Sequence, residues 1–251
     1  MSLPALQIIE LDFTDSTNNY AMRLIDGNKA QDGLTIVANA QTNGKGQRGK
    51  TWVDIPGNSL LVSVIVAPRH SLQEQFIFNA AITVAIAKVL QKLDDEMRVA
   101  VKWPNDIIVN DKKAGGILIE NVLRGSNWTH SVIGFGLNLY QDSFPDDLPH
   151  AISLKIALGK DVDKTALLTD LSAAIINATR FPIPAGPQMD AYNSLLFRQG
   201  MSQRFTDAQL SWTANILHAN LDGTLAVQLE NGSIVNYQHG QVIWDYGQQI
   251  I

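Results

Sequence analysis

The sequence predicts an α+β protein: a mixed, largely antiparallel sheet packed with helices, followed by a small C-terminal β-barrel. Three observations carry this. The chain opens as strand, helix, strand, with Leu6 to Phe13, a stripe of Ala21, Leu24 and Ile25, and Leu34 to Ala40. Its centre holds several apolar runs with no helix between them, from Val99 to Leu139. From Arg198 the period changes to two, with Asp222-Gly223 and Asn231-Gly232 placed as hairpin turns. Residues 1–197 are therefore expected to form one domain and 198–251 a second.

The elements follow in order. Thr14-Asp15-Ser16-Thr17-Asn18 supplies hydroxyls and carboxylates that can cap the first helix. Gln41 to Trp52 is rich in glycine and cations and lacks apolar periodicity, so it reads as a loop. Ser59 to Val66 is a near-continuous β-branched and leucine run, as expected of a strand buried on both faces. Ser71 and Glu74 form a capping box before a helix carrying Phe76, Ala80, Val84, Ala87 and Leu90 on one stripe. Val99 to Trp103 and Ile107 to Val109 are strands around Pro104-Asn105-Asp106, and Ile117 to Val122 and Val132 to Leu139 pair across Arg124-Gly125-Ser126. Leu167, Leu168, Leu171 and Ile175 mark a further helix, and Thr213 to Leu217, Thr224 to Leu229 and Ser233 to Tyr237 are the strands of the last module.

Composition narrows the function. With 19 Lys and Arg against 24 Asp and Glu, the formal charge of −5 leaves no general basic face for nucleic acid. Cysteine is absent, which excludes disulfides, thiolate catalysis and thiolate metal sites. The five histidines are scattered without metal-ligand spacing. Neither a signal peptide nor a run long enough to span a bilayer is present, so the expectation is a cytoplasmic protein without a membrane or DNA partner.

Two segments carry chemistry. In Gly44-Lys45-Gly46-Gln47-Arg48-Gly49-Lys50-Thr51-Trp52, glycines let backbone amides approach an anion, three cations stand without an acid, and Trp52 offers an aromatic face. A phosphate or carboxylate suits it; a flexible surface loop is the plain alternative. The spacing matches no P-loop, and no helix follows to make a dinucleotide fingerprint. In Lys102-Trp103-Pro104-Asn105-Asp106, proline fixes a turn that puts Asn105 and Asp106 at a strand edge, within reach of substrate or hydrated Mg²⁺. Lys113 precedes the paired glycines Gly115 and Gly116, which admit a ligand close to the backbone. Here the plain alternatives are a side-chain-bonded turn and a solvated hairpin end.

Together these segments resemble the biotin protein ligases. Lys102 to Asp106 matches the family's Lys-Trp-Pro-Asn-Asp letter for letter. GKGQRGKTW echoes its Gly-rich loop, Lys113 to Glu120 its Lys-x-x-Gly-Ile-Leu-x-Glu, Ser16-Thr17-Asn18 its Ser-Thr-Asn, and Gly134-x-Gly136-x-Asn138 its strand-end Gly-x-Asn. The resemblance runs along essentially the whole chain and implies the class II synthetase-like catalytic fold with a small C-terminal barrel. It is closest to the ligase-only class, without the amino-terminal helix-turn-helix of regulatory members.

The implied reaction joins biotin to ATP as biotinyl-5′-AMP, with Mg²⁺ accompanying ATP, then transfers biotin to a lysine of a biotin carboxyl carrier protein. No tightly bound prosthetic group is implied, and a monomer or weak homodimer is expected. By position, Ser16, Thr17, Asn18, Gln41, Lys45, Gly46, Gln47, Gly115 and Gly116 fall to biotin. Lys113 falls to its carboxylate. Gly44, Lys45, Gly46, Arg48, Trp52, Asn105 and Asn138 fall to the nucleotide. Lys113, Arg48, Asp106 and Lys102 are the implied catalytic groups, with Asp106 also the implied metal ligand. Lys45, Gln47 and Lys50 stand where the family pattern has arginine, which implies looser retention of the adenylate. A lipoate or other acyl-carrier ligase, a non-catalytic biotin or nucleotide sensor, and a DNA-binding repressor are the competing readings.

Overall fold

The computed structural model describes residues 6–245. Seven strands form the main sheet: β1 (Ile8–Thr14), β2 (Thr35–Gln41), β3 (Ser59–Val66), β4 (Val99–Lys102), β5 (Asp106–Val109), β6 (Lys112–Arg124) and β7 (Asn127–Asn138). Their spatial order is β1-β2-β3-β7-β6-β5-β4. β1 and β2 pair in parallel through the crossover helix α1 (Thr17–Asp26), as parallel neighbours require, and the other pairs are antiparallel. The mixed, largely antiparallel sheet expected from the sequence is the one observed.

All eight residues of β3 are buried because both its faces are covered. Leu60, Val62, Val64 and Val66 join the main core with α2 (Gln75–Gln91) and α4 (Lys164–Arg180). On the other face Ile65 packs with Ala21 and Ile25 of α1. A fully buried aliphatic side chain contributes roughly 1.5–3 kcal/mol, so Ser63 in this strand forgoes that gain and must be held by hydrogen bonds. The capping box is present, Glu74 accepting from the Ser71 amide at 2.9 Å, and a short 3₁₀ turn leads from it into α2.

The C-terminal strands β8 (Ser202–Thr206), β9 (Ser211–Ala219), β10 (Leu225–Leu229), β11 (Ile234–Tyr237) and β12 (Ile243–Asp245) form an antiparallel sheet in the order β11-β10-β9-β8-β12. Gly223 (φ 87°) and Gly232 (φ 83°) occupy the two expected hairpin turns, where the left-handed backbone favours glycine. The sheet curls enough for Phe205 of β8 to meet Tyr237 of β11 with ring centroids 6.2 Å apart. Its ladder is open between β11 and β12 among the described residues. The apolar core continues without a break from Val101, Leu196 and Phe197 into Phe205, Ile216 and Leu225.

The periodicity reading missed α3 (Leu154–Leu158), α5 (Ala185–Asn193), β8 and β12, all short elements fixed by neighbours more than by pattern. It also drew β6 and β7 too short, because their polar ends pair as well as their apolar centres.

Candidate functional site

A cavity of about 790 Å³ opens where α1, the Gly-rich segment, the β4–β5 turn, β6, β7 and the C-terminal module converge. It is lined by Ser16, Thr17, Asn18, Gln41, Lys45, Gly46, Gln47, Arg48, Trp52, Lys102, Asn105, Asp106, Lys113 and Gly116 among the residues expected from the sequence. It also takes Lys50, Gly134, Gly136, His150, Thr206 and the run from His239 to Asp245, apart from Gln241.

One end is a closed polar chain. Ser16 stands at the N-cap of α1, yet its hydroxyl makes no capping bond, contrary to the capping role expected of it. Gln41 Oε1 accepts from the Thr17 amide (2.8 Å) and the Thr17 hydroxyl (3.2 Å). Ser63 Oγ lies 2.8 Å from Thr17 Oγ1 and 2.6 Å from Asn18 Oδ1. Asn18 Nδ2 donates to Glu120 Oε2 at 2.7 Å. Gly134 has to be glycine: a Cβ there would overlap the Asn18 amide, with Asn18 Cγ 2.8 Å away.

The Gly-rich segment is a tight hairpin. Lys45 bridges Thr51, the Gly46 amide donates to the Lys50 carbonyl (2.7 Å), and the Trp52 amide to Gly44 (3.0 Å). Arg48 (φ 54°) and Gly49 (φ 75°) make its left-handed tip. The segment is the loop expected between β2 and β3, folded on itself, and its Gly46 amide is taken by Lys50. Arg48, on the cavity wall, donates from its guanidinium to the His239 carbonyl of the C-terminal module. Lys45 pairs with Glu120 at 3.4 Å. Trp52 lies against Gly136, where a Cβ would come within 2.8 Å of the indole, and its Nε1 is buried without a partner.

The opposite wall is set by a bulge. β5 pairs Asp106 with Gly116 and Ile107 with Gly115, but Ile108 with Lys113, so Ala114 is the extra residue. In a regular strand Lys113 and Gly116, three apart, would face opposite ways; the bulge puts Lys113 on the face of Asp106 and Gly116. Lys113 Nζ reaches Asp106 Oδ1 at 2.7 Å across the bare Gly116. The bulged backbone is satisfied by the 150–152 segment, Lys113 N–H donating to His150 O (2.6 Å) and Ile152 N–H to Lys113 O (2.9 Å).

Several expected contacts lie elsewhere. Asn138 is outside the cavity, and its Nδ2 donates to Ile152 O (3.2 Å), bracing the segment that holds Lys113. Gly115 is likewise absent from the wall: a Cβ there would meet Gly136 O at 2.5 Å, so its bareness serves the approach of β6 to β7. Gly44 lets Trp52 O come as close as 2.5 Å to the Cβ position and does not line the cavity. Asn105 touches the cavity, but its amide donates to Ile117 O. Among the described residues no three His, Asp or Glu side chains group to hold a metal; a hydrated Mg²⁺ arriving with a nucleotide needs only one or two carboxylates, and Asp106 on the cavity wall could supply one.

Burial pushes the Lys102 ammonium down to about 8, Asp106 opposing and Lys113 and Lys50 adding repulsion. Its charge is thus present below that value and lost above it. Pyrophosphate affinity should fall as pH rises through about 8, and Lys102→Met should flatten that step. Titration calorimetry one unit either side checks this; an unchanged step in the variant would assign it to another group.

Comparison with known proteins agrees with this arrangement. The bifunctional ligase/repressor BirA of Bacillus spizizenii is 33% identical over 164 residues, 64% of this chain and 50% of its own. The biotin–[acetyl-CoA-carboxylase] ligase of Paracoccus denitrificans is 33% identical over 128 residues, 50% of this chain and 52% of its own. The chain thus spans about half the length of these relatives. The biotin protein ligase of Aquifex aeolicus, solved in complex with biotin and ATP, superposes with a TM-score of 0.78 at 22% identity, covering 95% of this chain and 98% of that one. The biotin/lipoate A/B protein ligase family model matches residues 10–138, from the middle of β1 to the end of β7. With more than half of its length in that match, including both motif-bearing walls of the cavity, the chain belongs to the biotin/lipoate A/B protein ligase family.

Proposed function

We propose that the protein activates biotin with ATP and transfers it to a lysine of a biotin carboxyl carrier protein. The observation that carries this is the single cavity in which Ser16-Thr17-Asn18, the Gly-rich hairpin, Asp106 and Lys113 meet. Biotin carboxylate attacks the α-phosphorus, forming biotinyl-5′-AMP and releasing pyrophosphate. The carrier amine then attacks the acyl carbon, forming an amide and releasing AMP and a proton. Both steps build negative charge that preorganised cations stabilise. Lys113, held by Asp106 in the free site, exchanges that partner for the biotin carboxylate. Asp106, so released, stands beside the acyl carbon to take the proton of the incoming amine. The polar chain of Thr17, Asn18 and Gln41 faces the ureido end, and Lys50 and Lys102 face the phosphates. ATP as co-substrate fits a cytoplasmic reaction, and no described helix is long and apolar enough to cross a membrane.

The test is pyrophosphate release on adding MgATP with biotin, with lipoate as a parallel sample. Release with biotin and mass gain of a carrier domain are expected; release with lipoate alone, or with neither, overturns the reading.

Retention of the adenylate is a separate expectation. Gln47 lines the cavity without a charge, and Lys45 offers one ammonium where arginine would offer a planar fork. Lys45→Arg with Gln47→Arg should lengthen the lifetime of bound adenylate about tenfold, the worth of one charge-assisted bond. A chase of preformed labelled adenylate with unlabelled biotin measures it. Release at the wild-type rate would make these side chains neutral.

A further inference from the structure

Glu120 lies beyond the cavity wall on β6, an even number of residues from the lining Gly116 and Leu118, so its side chain points to the same face. Its two oxygens have different partners: Oε2 accepts from Asn18 Nδ2 at 2.7 Å, and Oε1 meets Lys45 Nζ at 3.4 Å. The two contacts differ in weight. Lys45 and Glu120 are both partly exposed, with side-chain accessibilities of 38% and 27%, so their pairing is a weak tie. Asn18 is 3% exposed, and its short bond to an ionised acceptor is the stronger one.

An asparagine amide is nearly symmetric in shape, and only its partners decide which end is oxygen. Glu120 accepts, so it takes the nitrogen; Ser63 Oγ, 2.6 Å from the other end, is the group that can donate to Oδ1. On the proposed biotin-activating role, we infer that Glu120 is a positioning residue which fixes the orientation of the Asn18 amide and so turns an oxygen acceptor toward the N–H groups of the ligand's ureido ring. Gln41 Oε1 and Thr17 lie in the same polar chain, so this end of the cavity is built to recognise ligand donors. Leu118 O accepts from the same nitrogen at a long 3.4 Å, so without the acceptor at 120 the amide keeps only that weaker tie and can flip to present a donor where the ligand also donates.

The experiment compares Glu120→Leu, which has no acceptor, with Glu120→Gln, which keeps one. Glu120→Leu should raise the KM for biotin about tenfold with kcat little changed, and Glu120→Gln should restore most of that loss. Unchanged KM in the leucine variant, or a glutamine variant as impaired as the leucine one, would overturn the inference. A second readout needs no substrate. The Asn18 side-chain NH₂ protons should exchange slowly with solvent in wild type and Glu120→Gln and fast in Glu120→Leu. Equal exchange in all three overturns it, even if the wild-type protein proves inactive with biotin, an outcome that would defeat the proposed function alone.

Discussion

Lys113→Ala should lower biotin affinity about ten- to a hundredfold, the roughly 1.5 to 3 kcal/mol of a charged hydrogen bond to a carboxylate. The loss in adenylate formation should be larger still, because two negative groups would then face each other. In the free protein Lys113 Nζ sits 2.7 Å from Asp106 Oδ1, so alanine removes the ligand's cation and also bares the Asp106 carboxylate. Adding Asp106→Asn to Lys113→Ala should therefore recover part of the binding while turnover stays lost. Calorimetric biotin titration with a pyrophosphate-release assay separates the two effects. A Lys113→Ala protein that titrates like wild type would make Lys113 a solvated strand lysine.

Gly134→Ala is expected to be nearly as damaging, through packing. The new methyl would overlap an Asn18 side chain that is pinned by Glu120 on one side and approached by Ser63 on the other, in a pocket wall with no slack. Overpacking of this kind costs roughly 1–3 kcal/mol, and each buried polar group left unpaired adds about as much. The melting temperature should fall, and biotin binding should weaken by more than that destabilisation alone accounts for. Gly186→Ala makes the control for folding: like Gly134 it has no left-handed φ, and nothing lies near the added Cβ. If the two variants lost the same stability and neither lost biotin, Asn18 would be mobile enough to step aside.

Much of this architecture is legible in the chain. The unbroken β-branched run at 59–66 marks a strand covered on both faces, and Asp-Gly and Asn-Gly mark two hairpins, because burial and backbone φ are local demands that residue type answers directly. Lys113, Asp106 and Ser16-Thr17-Asn18 are legible too, as motif letters. Three features are not. Ser63 reads as an interruption of an apolar strand, and its partners are 45 and 46 residues away. The bulge at Ala114 depends on how β5 meets β6 and leaves no mark on periodicity. His239 carries no motif, and its carbonyl matters because the fold brings it to Arg48, 191 residues earlier. Asn138 carries a motif letter too, and the fold gives its amide nitrogen a structural partner in Ile152 O that the motif does not announce.

The cavity wall formed by His239 to Asp245 has a bearing on how the molecule comes into being. Those residues are set by β12, which pairs with β8 near the end of the described chain, while the opposite wall begins at Ser16. Contacts of such sequence separation form slowly, since loop closure must precede them. A nascent chain that has not yet reached β12 therefore carries every motif residue and no complete chamber. Biotin and ATP should accordingly protect a chain that includes β12 from protease while leaving chains cut before residue 239 as vulnerable as before.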